Sequence, residues 1–264
     1  MIFRDQLDRE LHIDQTPVRI ISLVPSQTEL LVDLGLEDQI VGVTKFCVHP
    51  QHLRKNKTIV GGTKDVDYEK IRKLNPDFIL CNKEENTPEI VEELEKISRV
   101  YVSDVISIND AIEVIRHFGI IFNTRDISAS LIQSFLTQLS EFQNLYKEPR
   151  RVLYFIWRKP WMVTGKDTFI NNLLELNNWE NCAIDPNSRY PEIEIEDLTG
   201  LKPDLVLLSS EPFPFKEKHI TEVREHYKGP IELVDGEYFS WYGSRLIPAL
   251  EYFRRLQMKL SNSL

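Results

Sequence analysis

Apolar residues in this chain fall into short unbroken runs that alternate with stretches of helical spacing. Ile20-Ile21-Ser22-Leu23-Val24 reads as a buried strand ending at Pro25. Ser26 stands three residues before Glu29, the spacing of a capping box, and Leu30, Leu31 and Leu34 follow on one helical face. Gly35 is the expected stop. Ile40 to Val43 reads as a second strand and Ile59-Val60 as a short third. A helix stopped by Pro76 and the apolar run Phe78-Ile79-Leu80 come next. Thr87-Pro88 opens a helix to Ile97, and Val100 to Val102 is the following strand. This alternation predicts a parallel sheet with helices on both faces.

The pattern then repeats. The stretch Asp67 to Glu85, DYEKIRKLNPDFILCNKEE, has a second version starting at Glu194, EIEDLTGLKPDLVLLSSEP. The offset carries Glu69 onto Glu196, Leu74 onto Leu201, Pro76-Asp77 onto Pro203-Asp204 and Glu84 onto Glu211. Pro149-Arg150-Arg151-Val152-Leu153 likewise echoes Pro17-Val18-Arg19-Ile20-Ile21. Two copies so far apart imply two similar lobes rather than a short-period solenoid. The second lobe predicts a strand Val152 to Ile156, a helix Phe169 to Leu176, a helix Lys218 to His226, a strand Ile231 to Val234 and a last helix Leu246 to Leu260.

Between Asn109 and Lys147 there is no proline and a single glycine, Gly119. Apolar residues there keep helical spacing, first from Ala111 to Phe118 and then from Ile127 to Leu145. About 22 residues of helix would span roughly 33 Å, enough to act as a stiff connector. The expected class is therefore α/β: two Rossmann-like lobes with parallel sheets joined by one long backbone helix. The expected boundaries are an N-terminal lobe over 1–123, a connecting helix over 124–148 and a C-terminal lobe over 149–264.

Composition narrows the function classes. With 264 residues, the chain can bury a real core in each half. A net charge of −9 and the lack of any basic run argue against nucleic acid as a partner. Cys47, Cys81 and Cys182 are scattered and form no CxxC, poor material for a disulfide framework or a zinc site. The first residues carry no apolar core of a secretory signal, and no apolar stretch is long enough to span a membrane. Read alone, the chain is expected in the cytoplasm and needs to be no more than a monomer.

Ligands of doubly wound sheets bind beyond the carboxyl ends of the strands. The segments expected there are rich in aromatic and polar side chains: Phe46, His49, Lys64, Trp157, Arg158, Trp161, Tyr190, Glu211, Phe213, Phe215, Phe239, Trp241, Tyr242 and Arg245. Aromatic walls with a few polar groups suit a cleft for a large flat ligand, although each ring alone could be packing under a loop. Signals for catalysis are thin. The Walker spacing, GxGxxG and GxSxG are all absent. His49 and His52 lack a third ligand at any standard spacing, so no metal site and no catalytic residue are assigned.

Taken jointly, RIISLVPSQTELLVDLGLEDQIVGVT, VGGTKDVDYEKIRKLNPDFIL, VTGKDTFINNLLELNNWEN, RYPEIEIEDLTGLKPDLVLL and FSWYGSRLIPAL give the chain a family resemblance. It resembles the helical-backbone metal-receptor superfamily, the class III periplasmic binding proteins, and within it the BtuF-like branch that binds cobalamin. The resemblance runs over nearly the whole chain from Thr16. It implies a substrate-binding protein of an ABC-type importer, which holds a corrinoid, haem or iron-siderophore between two lobes with no covalent cofactor. By the same resemblance, Phe46, Tyr190 and Phe239 to Tyr242 would touch the ligand. Glu69 and Glu196 would dock on a permease dimer, and the protein would work in the periplasm. At Thr63 the chain departs from the family, which has a tryptophan there. Two other readings stay open: a cytoplasmic carrier or sensor of corrinoids or tetrapyrroles, and an enzyme using the same cleft through Glu211 with His49 or Arg158.

Overall fold

A computed structural model describes residues 1–261 apart from 184 and 186. The chain divides into two compact units. The first comprises Met1–Val105, Asn109–Leu136 and Trp241–Leu246; the second comprises Ile106–Ile108, Thr137–Ser240 and Ile247 onward.

In order, the elements of the first part are β1 (Ile2–Arg4), β2 (Glu10–His12), β3 (Ile20–Ser22), α1 (Pro25–Asp33), β4 (Ile40–Val43), α2 (Leu53–Asn56), β5 (Thr58–Ile59) and α3 (Tyr68–Leu74). Then follow β6 (Phe78–Asn82), α4 (Pro88–Glu95), β7 (Arg99–Ser103), α5 (Ile108–Ile121) and α6 (Arg125–Gln143). The remainder is β8 (Arg150–Trp157), β9 (Met162–Val163), α7 (Phe169–Leu176), β10 (Trp179–Asn181), α8 (Leu198–Leu201), β11 (Leu205–Ser209), α9 (Glu217–His226), β12 (Ile231–Val234), α10 (Glu237–Ser240) and α11 (Leu246–Ser261). The fold is thus two α/β lobes, and α6, 19 residues long, is the helix that joins them.

The first unit holds a parallel sheet in the order β5-β4-β3-β6-β7. All five residues of β6 are buried, which is why the strands read as unbroken apolar runs. Ile21, Ile79, Val100 and Val102 meet Ile71, Ile90 and Leu94 of the covering helices in one cluster. The second unit repeats the plan with β10-β8-β11-β12, all parallel, and adds β9 antiparallel to the end of β8.

The duplicated Pro-Asp has a plain physical role. The Asp77 carboxylate accepts the backbone N–H groups of Val18 and Arg19, 2.8 and 2.9 Å away, at the mouth of β3. The Asp77 N–H in turn donates to the Arg19 carbonyl. Asp204 repeats this on β8: its carboxylate accepts the Arg151 N–H at 2.7 Å, and its own N–H donates to the Arg151 carbonyl. Each proline ends the preceding helix, and the aspartate behind it sets the register at the start of the central strand.

Some elements depart from expectation. Ser26 caps nothing: Val24 is the N-cap residue and Pro25 takes the first helical turn, where its missing N–H costs nothing. Gly35 does terminate α1, with φ +78°. The β1–β2 hairpin, the β8–β9 hairpin and the edge strand β10 were not legible, since strands of two or three residues carry too little pattern. The segment expected as a loop around Phe239 contains the single-turn helix α10.

Replacing Asp77 or Asp204 with alanine should remove hydrogen bonds to solvent-accessible backbone N–H groups at the strand mouth, at a cost of about 1 kcal/mol for each bond lost. Urea unfolding should show a loss in both variants, the larger in Asp77→Ala, whose carboxylate accepts from both Val18 and Arg19. A loss confined to one variant would contradict the equivalence.

Candidate ligand-binding surfaces

Each unit presents the carboxyl ends of its strands with a different arrangement of side chains. In the first unit, β3, β6 and β7 end at Ser22, Asn82 and Ser103 around the topological switch point of the sheet, where such sheets hold ligands. That position is occupied by the chain itself. The Tyr242 hydroxyl lies 2.8 Å from Gln27 Nε2, 3.2 Å from Asn82 Nδ2 and 3.0 Å from Ser103 Oγ. Both amide groups must donate, so the phenol accepts from them. Ser103 Oγ also lies 3.3 Å from the Cys81 carbonyl. Gln27, Asn82, Ser103 and Tyr242 are all buried. Burial pushes the Tyr242 hydroxyl well above the ordinary phenol range, so it stays protonated.

Trp241 and Arg245 arrive with Tyr242. Although they lie late in the chain, they pack in the first unit. The Arg245 guanidinium forks onto Glu29, with Nε and Nη2 at 2.9 and 2.6 Å from the two carboxylate oxygens. The same guanidinium sits 5.1 Å from the Trp241 ring centroid, and His49 meets that ring edge-on at 5.5 Å. Burial raises the Glu29 carboxyl above its ordinary range, against the opposing pull of Arg245. Glu29 is therefore an ion-pair partner, and the capping-box spacing was coincidental.

Phe46 follows β4 in a short loop and is 49% exposed, with the Lys45 ammonium 5.1 Å from its ring centroid. Lys64 is exposed on a turn closed by the Gly61–Val66 bridge. Asn86 ties this turn to the loop after β6, its side chain donating to the Thr63 carbonyl, while Asn82 Oδ1 accepts the N–H groups of Glu84 and Glu85.

In the second unit Trp157 is the last residue of β8, not a loop residue, and is 39% exposed. It meets Phe213 edge-on at 5.7 Å. Trp161 is half-buried, stacked on Phe215 at 6.0 Å, and carries the Arg158 guanidinium 5.7 Å from its centroid. Arg158 is itself held by Glu222 of α9, with both oxygens engaged at 2.7 and 2.6 Å. Glu211 follows β11, its backbone N–H bonded to Ser209 Oγ, and Tyr190 is half-buried beside Ser188. Phe239 has no exposed surface: its ring packs on Tyr154 and Phe253 in the core. Trp157 and Trp161 are thus gathered with Arg158, while Phe239 is separated from them by its burial.

The sequence reading missed Glu29 and Glu222, which pair with the two candidate arginines. A glutamate on an amphipathic helix is usually solvated, so no local signal set these two apart. Glu69 is exposed in the first turn of α3 and paired with Arg72 at 2.7 Å, and Glu196 is exposed just before α8. His52, the other half of the histidine pair, bonds Glu37 instead.

Residues 20–226 match the family model described as periplasmic binding protein. An uncharacterized ABC transporter substrate-binding lipoprotein of Bacillus subtilis is 27% identical over 213 residues, covering 77% of this chain and 67% of the relative. Among solved structures, the periplasmic vitamin B12 binding protein of Vibrio cholerae superposes with a TM-score of 0.77 at 18% identity, covering 94% of this chain and 99% of that one. A periplasmic heme-binding protein in complex with two hemes gives 0.78 at 21% identity, covering 90% and 97%. These two structures share the fold.

The hydrogen bonds from Arg158 hold the Glu222 carboxyl below its ordinary range. A carboxyl lowered in this way stabilises the fold above its unfolded pKa, and the contribution disappears as pH falls through the lowered folded value. Glu222→Gln should therefore melt slightly below the parent protein at pH 7, and the two melting temperatures should converge toward about pH 3. A gap that stays constant with pH would show that charge is not its source.

Proposed function

The chain belongs to the periplasmic binding protein family, and we propose that it is the substrate-binding subunit of an ABC-type importer for a metal chelate of the corrinoid, haem or iron-siderophore kind. The observation that carries this reading is that each unit, taken by itself, leaves an aromatic ring exposed at the carboxyl end of a strand. Phe46 stands just beyond a strand of the first unit and Trp157 at the end of a strand of the second, and both remain open. Their faces suit the flat apolar surface of a macrocycle. Trp161 and Tyr190 extend the aromatic surface of the second unit. Lys64 and Glu211 supply polar contacts to a chelate's rim.

Relatives support both parts of the reading. The Bacillus subtilis protein is described as an ABC transporter substrate-binding lipoprotein, and proteins of the same fold are described as binding vitamin B12 or heme. The family binds and delivers, so binding in place of turnover is the activity we assign. A subunit of this kind works on the outer side of the membrane its importer spans, and that is its proposed location. Among the described residues no helix is long and apolar enough to cross a membrane.

Glu69 and Glu196 are the proposed contacts to the permease. The repeat places both at equivalent points, each exposed and each at the start of a helix before a Pro-Asp strand cap. Replacing both with alanine should leave chelate affinity intact and reduce chelate uptake in cells. Loss of affinity instead would move them out of this role.

Titration with cyanocobalamin and with haemin, followed by tryptophan fluorescence and calorimetry, tests the main reading. One-to-one binding of at least one of them is expected, weakened about tenfold in Trp157→Ala as the stacking surface is lost. Absence of binding to both would overturn the metal-chelate assignment.

A further inference from the structure

We infer that Lys45 is a ligand-binding residue of the first unit, one that favours metal chelates with a carboxylate at the rim. The inference rests on the metal-chelate reading and deepens it, and it draws only on groups within that unit. Phe46 is half-exposed just beyond β4, where sheets of this kind hold ligands. Lys45 is exposed beside it, with its ammonium 5.1 Å from the ring centroid. Among the described residues that ammonium makes no ion pair and no hydrogen bond. The backbone that presents the two side chains is held on both sides. The Lys45 N–H donates to the Gly61 carbonyl at 2.8 Å, and Arg54 Nη1 of α2 donates to the Lys45 carbonyl at 3.3 Å. The Phe46 N–H donates to Thr44 Oγ1 at 3.2 Å. Thr44 and Cys47, which flank the pair, are buried, and Cys47 Sγ lies 3.1 and 3.3 Å from the hydroxyls of Thr28 and Thr44.

Gly62 sets how the two side chains lie. A Cβ at that position would stand 3.3 Å from both Lys45 Cε and Phe46 Cε2, so the bare glycine lets the lysine stem and the ring settle close to the turn together. The result is an open apolar ring with a cation against it, both on a fixed backbone. A side chain already held this way loses less freedom when it pairs with a ligand. A flat macrocycle resting on Phe46 brings its rim within reach of the ammonium on its flexible four-carbon stem. A carboxylate there gains a charge-assisted hydrogen bond, roughly twice as strong as the neutral one an amide would make. Asp65 shares the turn, and Glu84 and Glu85 lie on the loop that Asn86 ties to it, yet none of the three pairs with Lys45. In a chain of net charge −9, an anionic rim needs such a local cation to offset the general field.

The test titrates the whole protein by calorimetry with haemin and dicyanocobyrinic acid, which carry free carboxylates, and with dicyanocobinamide, which carries amides. Lys45→Met keeps the stem and removes the charge. It should weaken binding of a carboxylate-bearing chelate about fivefold and change dicyanocobinamide by no more than about twofold. Raising the salt to about 0.5 M should shrink the difference between variant and parent. Lys45→Arg should retain the parent's affinity. Lys73→Met, which removes one exposed charge in the last turn of α3, should also retain it and so excludes a change in overall charge as the cause. Unchanged carboxylate binding in Lys45→Met overturns the inference, since the lysine is then only solvated. So does an equal loss for amide and carboxylate rims, a loss shared by Lys45→Arg or by Lys73→Met, or binding of dicyanocobinamide alone by the parent. Binding of none of the three, with cyanocobalamin also unbound, would instead defeat the metal-chelate reading and this inference with it.

Discussion

A buried phenol hydroxyl, that of Tyr242, gathers polar side chains at the strand ends of the first unit. Asn82 and Ser103 stand at strand ends of the first unit and Gln27 in the first helix, all without access to water. Groups of that kind cost several kcal/mol if left unpaired. Tyr242 meets them all with one oxygen, and it is brought from near the chain's end. The crevice that a doubly wound sheet would give to a nucleotide is thereby filled by protein. The occupant is the chain's own aromatic segment.

The internal repeat is conserved where backbone geometry demands it and diverges where side chains face outward. Asp77 and Asp204 perform the same task at the start of β3 and β8. The arginines beside them have already parted. Arg19 donates to the carbonyls of Leu74 and Asn75 at the end of α3, while Arg151 lies 3.9 Å from Glu180. A strand mouth has few solutions, since its N–H groups must be met at fixed positions. A surface arginine has many.

Charge is handled in the same spirit. Two arginines stand near the aromatic surfaces, and each is matched by a glutamate from a helix of its own unit. Such pairing spares the cost of a lone shielded charge and occupies the Nε–Nη2 edge of each guanidinium. An arginine in a candidate set therefore cannot be assigned to a ligand until its carboxylate partner is known. Here the partners stand 64 and 216 residues away in sequence.

By itself the sequence determined the α/β class, the two lobes and the long joining helix. These follow from local periodicity, from proline and glycine at element ends, and from a repeat long enough to be unmistakable. It also brought forward Phe46 and Trp157, because large aromatics at strand ends stand out by type and position. Only the tertiary structure decided that Phe239 is core, that Tyr242 fills the switch point, and that Arg158 and Arg245 are already paired. Those outcomes depend on contacts across dozens to hundreds of residues, and the same side chain reads alike in a loop whether its partner is a ligand or a distant glutamate. Periodicity records which face of an element is buried; it carries no record of what meets that face.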